Sequence, residues 1–87
     1  MEALTKALAV ELAPIRVNAV CPGVVRSPLW DSMPEENREQ FFRDTAAALP
    51  LGRVGDVSDI AQAYLFCLTQ QFATGSILTL DGGALLA

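Results

Sequence analysis

Few side chains in this sequence are equipped to do chemistry. The chain has no histidine, so neither a Ser-His-Asp nor a Cys-His nucleophile can be assembled from it. Lys6 is the only lysine; helical spacing sets it on a surface, opposite Leu4 and Leu8, rather than in a catalytic pocket. Glu35 and Glu36 could act as paired carboxylates, but adjacent acids at a helix start read better as a solvated first turn. Asp31 and Asp44 read the same way. Cys21 would need a nearby base or positive field to become a thiolate, and without one it is a small core residue; Cys67 falls inside a helix and reads as packing. Trp30 either lines a pocket or caps a core. The stretch with a ligand role is the loop of residues 21–27 (CPGVVRS). It follows a strand directly, and ligands of open α/β sheets bind outside the carboxyl ends of the strands. Gly23 lets a ligand approach the backbone and Pro22 adds stiffness. The amides of Val24 and Val25 and the Ser27 hydroxyl suit a planar amide or a phosphate. A strand followed by Pro-Gly also occurs as an ordinary turn.

The elements that must hold this loop are legible from periodicity. Met1, Leu4, Leu8 and Leu12 recur at helical spacing among alanines, good helix formers, and Pro14 ends the run. The segment lacks a capping residue at its start. Residues 15–21 form a short, β-branched, apolar run between prolines, as a buried parallel strand requires. A loop over residues 22–33 leads to a second helix opened by Pro34 at its first position, with Glu35 and Glu36 matched to the helix dipole. It extends to about Leu49, with Phe41 and Phe42 as its main apolar anchors. Asp56 is the expected N-cap of a third helix, with Asp59 in a capping box. Val57, Ile60, Ala61, Tyr64, Leu65 and Leu68 form its apolar stripe, and it ends near Gln70. After a turn at Thr74 and Gly75, residues 76–80 form a second buried strand, closed by Asp81, Gly82 and Gly83. Two apolar strands joined by helices should pair in parallel with a right-handed crossover. That is the end of an α/β sheet rather than a whole one.

Composition removes other classes. The chain has 87 residues, 52% hydrophobic and 18% charged, with a net charge of −4. Such a chain is too apolar for disorder and long enough for one domain at most. Alone it buries only about 60–65% of its unfolded surface. Two distant cysteines without histidine exclude a zinc site and a disulfide scaffold. An acidic balance without a basic stripe argues against nucleic acid. The longest apolar stretch falls far short of the roughly 20 residues that cross a bilayer. Free cysteines and the lack of an export signal point to the cytoplasm.

Four blocks carry a resemblance: residues 2–14 (EALTKALAVELAP), 15–23 (IRVNAVCPG), 52–61 (GRVGDVSDIA) and 74–83 (TGSILTLDGG). Together, in this order and spacing, they resemble the C-terminal portion of the classical short-chain dehydrogenase/reductase (SDR) family. The resemblance implies an α/β fold: the last two strands and flanking helices of a Rossmann-type, doubly wound parallel sheet. Residues 1–87 would be the C-terminal fragment of a single domain, with a nicotinamide loop at 22–28, a substrate loop and lid at about 29–51, and the last helix and strand within 56–83. It implies NAD or NADP as cofactor, the choice left open, and a small carbonyl or alcohol as substrate. Pro22, Gly23, Val25 and Ser27 match the family's nicotinamide-binding loop, with Ser27 where the family usually has threonine. Leu29 and Trp30 are candidate walls of the substrate pocket. Phe41 and Phe42 would lean on elements outside this sequence. The third helix and last strand resemble the pair that commonly forms a subunit interface, so a homodimer or homotetramer is implied for the full-length enzyme.

The family's glycine-rich phosphate loop, catalytic serine and Tyr-x-x-x-Lys have no counterpart here. Lys6 comes too late in its helix, and Tyr64 has no lysine four residues on. The chain by itself is therefore expected to be inactive, and Met1 reads as a truncated or misassigned start. A competing reading is a non-catalytic oligomerisation or interaction module derived from the same family; a weaker one is an unfolded pseudogene product.

Overall fold

A computed structural model describes residues 1–86. The first helix, α1 (Glu2–Glu11), is followed by strand β1 (Ala19–Pro22), strand β2 (Val25–Arg26) and a 3-10 turn (Pro28–Trp30). Helix α2 (Glu35–Ala48), strand β3 (Gly55–Asp56), helix α3 (Val57–Thr69), strand β4 (Ile77–Leu80) and a closing 3-10 turn (Ala84–Leu86) complete the order. β1 and β4 pair in parallel, Ala19 opposite Ile77 and Pro22 opposite Leu80. No helix among the described residues is long and apolar enough to cross a membrane.

The first strand begins later than its β-branched run suggests. Residues 16–18 are spent on anchoring instead. The Arg16 guanidinium donates to the carbonyls of Cys67 and Leu68 at the end of α3, placing a cation where the helix dipole is negative. The Asn18 amide donates to Ala73 O at 3.0 Å, and its oxygen accepts from Ser76 N at 3.0 Å. Val17 N donates to Thr74 Oγ1, and Gly75 N donates to Val17 O. This clasp fixes the register with which β4 enters beside β1.

The loop expected over residues 22–33 is more structured than its proline and glycine content suggests. Pro22 is the last residue of β1, where its missing N–H costs nothing to an edge. Val25 and Arg26 form a second parallel pair with Gly55 and Asp56. Pro34 is the N-cap of α2 rather than its first helical residue.

The third helix starts as expected, with Asp56 and Asp59 in a reciprocal capping box. The face it buries is not the expected one. Ala63 is buried and Ile60 and Cys67 are half-buried, while Val57, Tyr64, Leu65 and Leu68 are exposed. Close approach of a helix to the sheet selects the small side chain, and the bulky stripe is turned outward. α1 behaves alike: Thr5 and Ala9 are its buried residues, and Leu4 is 61% exposed. The radius of gyration, 15.5 Å, exceeds the roughly 12 Å of a compact chain this long. Ala9, Phe42, Val54 and Ala63 are the buried apolar residues among those described.

Candidate functional site

The site grows from the end of β1. Gly23 N donates to Leu80 O at 2.8 Å, extending the ladder one residue past the strand and leaving that amide committed. A Cβ on Gly23 would stand 2.8 Å from both Cα and Cβ of Asp81. Glycine is thus required by the residue that follows β4, whatever else the position contacts. Asp81 is itself fixed, its Oδ1 accepting from Gly83 N at 2.9 Å.

Beyond Gly23 the chain extends into β2, and alternate side chains fall on opposite faces. Pro22, Gly23, Val25, Ser27, Leu29 and Trp30 line one cleft of about 440 Å³, together with Val57, Ile60 and Ala61 from the start of α3. The structure therefore brings all six residues singled out in the sequence to one place. Ser27 is half-buried and extended, and it makes no side-chain cap bond to the 3-10 turn that follows. Trp30 combines both roles left open for it. Its ring borders the cleft, its Nε1 donates to Val25 O at 2.9 Å, and it packs 5.0 Å from Phe41 and 6.2 Å from Phe42 between ring centres.

The α3 residues of the cleft were missed as site residues because their spacing assigned them to a core stripe. Val57 and Ile60 sit immediately after the capping box, so the signal was their place at a helix start opposite a strand end. Phe42 also departs from expectation. It is only 3% exposed and rests on Trp30, Phe41 and Arg26, all within this chain.

Two ion pairs lie outside the lining of this cleft, on the elements that carry it. Arg26 donates to both carboxylate oxygens of Glu39 at 2.9 Å. That hydrogen bonding holds the Glu39 carboxyl below the usual carboxylate range and raises the Arg26 guanidinium. Arg53 donates to Asp59 at 3.0 and 3.3 Å, and Asp56 N donates to the same carboxylate at 2.8 Å. The Arg53 contact first, and the backbone contact second, hold the Asp59 carboxyl low. Among the described residues no cluster of three or more histidines, cysteines or acids is disposed to hold a metal.

The chain as a whole is similar to several known proteins. A family model described as enoyl-(acyl carrier protein) reductase matches residues 1–84. A 3alpha-hydroxysteroid dehydrogenase of Mediterraneibacter gnavus is 45% identical over 85 residues, covering 93% of this chain and 32% of that protein. A 3-oxoacyl-(acyl-carrier-protein) reductase of Thermotoga maritima is 38% identical over 87 residues, covering 95% of this chain and 34% of that one. A small-chain dehydrogenase solved in complex with NADPH superposes with a TM-score of 0.92 at 48% identity, covering 99% of this chain and 39% of its own. The chain thus spans about a third of the length of the curated relatives it matches.

Proposed function

The chain belongs to the short-chain dehydrogenase/reductase family, and on that premise we propose that it is the C-terminal part of an NAD(P)-dependent oxidoreductase interconverting a carbonyl and an alcohol. Its share of the work is to hold the nicotinamide end of the cofactor and one wall of the substrate pocket. The observation that carries this reading is one cleft at the carboxyl end of β1 that gathers Pro22, Gly23, Val25, Ser27, Leu29 and Trp30.

The residues fit a nicotinamide carboxamide. A half-buried hydroxyl not spent on helix capping offers a donor and an acceptor to a planar amide. Pro22, Gly23 and Val25 give that amide a fixed, largely apolar bed. Bound there, the nicotinamide supplies or accepts hydride. Leu29 and Trp30 exclude water from one side of the carbonyl and orient it. Proton transfer to the carbonyl oxygen belongs to the family's Tyr-x-x-x-Lys, which has no counterpart in this sequence. General acid catalysis is worth about 10²–10⁴-fold, and the anion site of a glycine-rich helix start is equally without a counterpart here. The outward stripe of α3 supports self-association through α3 and β4, and the free thiols of Cys21 and Cys67 support a cytoplasmic setting.

The test has two arms. The 87-residue chain should show neither turnover nor micromolar NAD(P)H binding; either one would place the chemistry within this chain and overturn the reading. In a chimera carrying this chain in place of the corresponding third of a family enzyme, Ser27→Ala should weaken cofactor binding by about 1 kcal/mol, the net worth of one hydrogen bond. An unchanged dissociation constant would remove Ser27 from the nicotinamide contact.

A further inference from the structure

Arg26 stands between two residues of the proposed nicotinamide loop, yet it is not among those lining the cleft. Val25 and Ser27 face the cleft, so strand alternation sends Arg26 the other way, toward α2. There one guanidinium nitrogen bridges both oxygens of Glu39, and the guanidinium carbon lies 4.5 Å from the centre of the Phe42 ring. Phe42 is the one residue that α2 buries. From the cleft side, Trp30 ties the same two parts together. Its indole donates to Val25 O while its ring rests on Phe41 and Phe42. β2 is therefore joined to α2 on both faces of the strand.

We propose that Arg26 is a positioning residue that fastens α2 to the strand carrying Val25 and Ser27, so that the substrate lid and the nicotinamide contacts are set as one unit. The proposal rests on the oxidoreductase reading above. An exposed ion pair alone would be weak. The Arg26 contact adds a stacked guanidinium over a buried ring, which lysine reproduces poorly because it lacks the planar group. Loosening the lid should therefore loosen the cofactor bed, although Arg26 does not line the cleft.

Hydrogen exchange on the 87-residue chain reads the coupling directly, with the emission of Trp30, the single tryptophan, as a second probe. Arg26→Ala should speed exchange across α2 and at the β2–β3 ladder amide of Gly55, which donates to Val24 O, together, by about five- to tenfold, with the rest of α3 within about twofold. Arg26→Lys should fall between the two, keeping the charge and losing the stacking. Where Arg26→Ala also loosens α3, Arg26→Lys and Glu39→Gln carry the comparison. In the chimera described above, Arg26→Ala should raise KM for both the carbonyl substrate and NAD(P)H by about three- to tenfold, with kcat within about twofold, as lost uniform binding does. Unchanged α2 exchange, α2 loosening without β2, or a rise in only one KM would overturn the coupling. An unmutated chimera without turnover would overturn the oxidoreductase reading instead, and the exchange pattern would still decide whether Arg26 joins lid and loop.

Discussion

At the scale of the residue, Gly23 carries a structural constraint in addition to the ligand contact its position suggests. Its place after a strand suggested room for a ligand. Asp81 is close as well, its Cα and Cβ 2.8 Å from where a Cβ would be, and neither atom can swing aside. Gly23→Ala should therefore destabilise the paired ends of β1 and β4 by about 1–3 kcal/mol, the usual cost of overpacking. Denaturant unfolding of the two proteins checks this, and equal midpoints would show that the strand ends separate freely. Ser27 is the opposite case. Its hydroxyl has no structural employment as a cap, so its loss should register in cofactor binding and leave folding unchanged.

At the scale of the element, α3 is defined by its first turn. The Asp59 carboxylate accepts from Asp56 N and from the Arg53 guanidinium, so it caps the helix and ties it to the preceding loop at once. These contacts lower its folded-state pKa. A carboxyl depressed on folding stabilises the protein above its unfolded pKa, and that stabilisation disappears as pH falls through the folded value. Helicity followed by circular dichroism should accordingly begin to fall as pH drops into the ordinary carboxylate range, at about pH 4, and go on falling below it. Asp59→Asn should start less stable at neutral pH and show a shallower acid dependence, part of which remains because Glu39 is held low in the same way. An unchanged acid profile in Asp59→Asn would remove this carboxylate from the cap's energetics. The capping box was legible because its residue types and three-residue spacing are local. The face that α3 buries was not, because Ala63 wins the sheet side by its size and Tyr64, Leu65 and Leu68 are left outside.

At the scale of the whole molecule, many large apolar side chains among the described residues are exposed. Phe72 is 98% exposed and Leu68 74%, close along the chain to Tyr64 and Leu65. Contiguous apolar patches of this kind mark association surfaces. In the chimera described above, the proposed self-association predicts that a second copy covers the α3 stripe and that Leu65→Asp combined with Leu68→Asp shifts sedimentation toward the monomer. Retention of the full assembly by that double variant would rule out this face as the interface.

What the sequence determined by itself is the set of local elements and the position of the loop. Helix starts, the Pro-Gly corner, the two apolar strands and their parallel order follow from residue type, spacing and short-range sterics. The tertiary structure decided everything that depends on which neighbour arrives. It began β1 at Ala19, because Arg16 and Asn18 hold the end of α3 and the 73–76 turn. It drew Val25 and Arg26 into a second strand pair with Gly55 and Asp56. It buried Phe42 against Trp30 and Arg26 rather than leaving it to elements outside this sequence. Each of these is a contact between residues far apart in sequence, and no periodicity within one segment encodes the size or charge of the segment that will pack upon it.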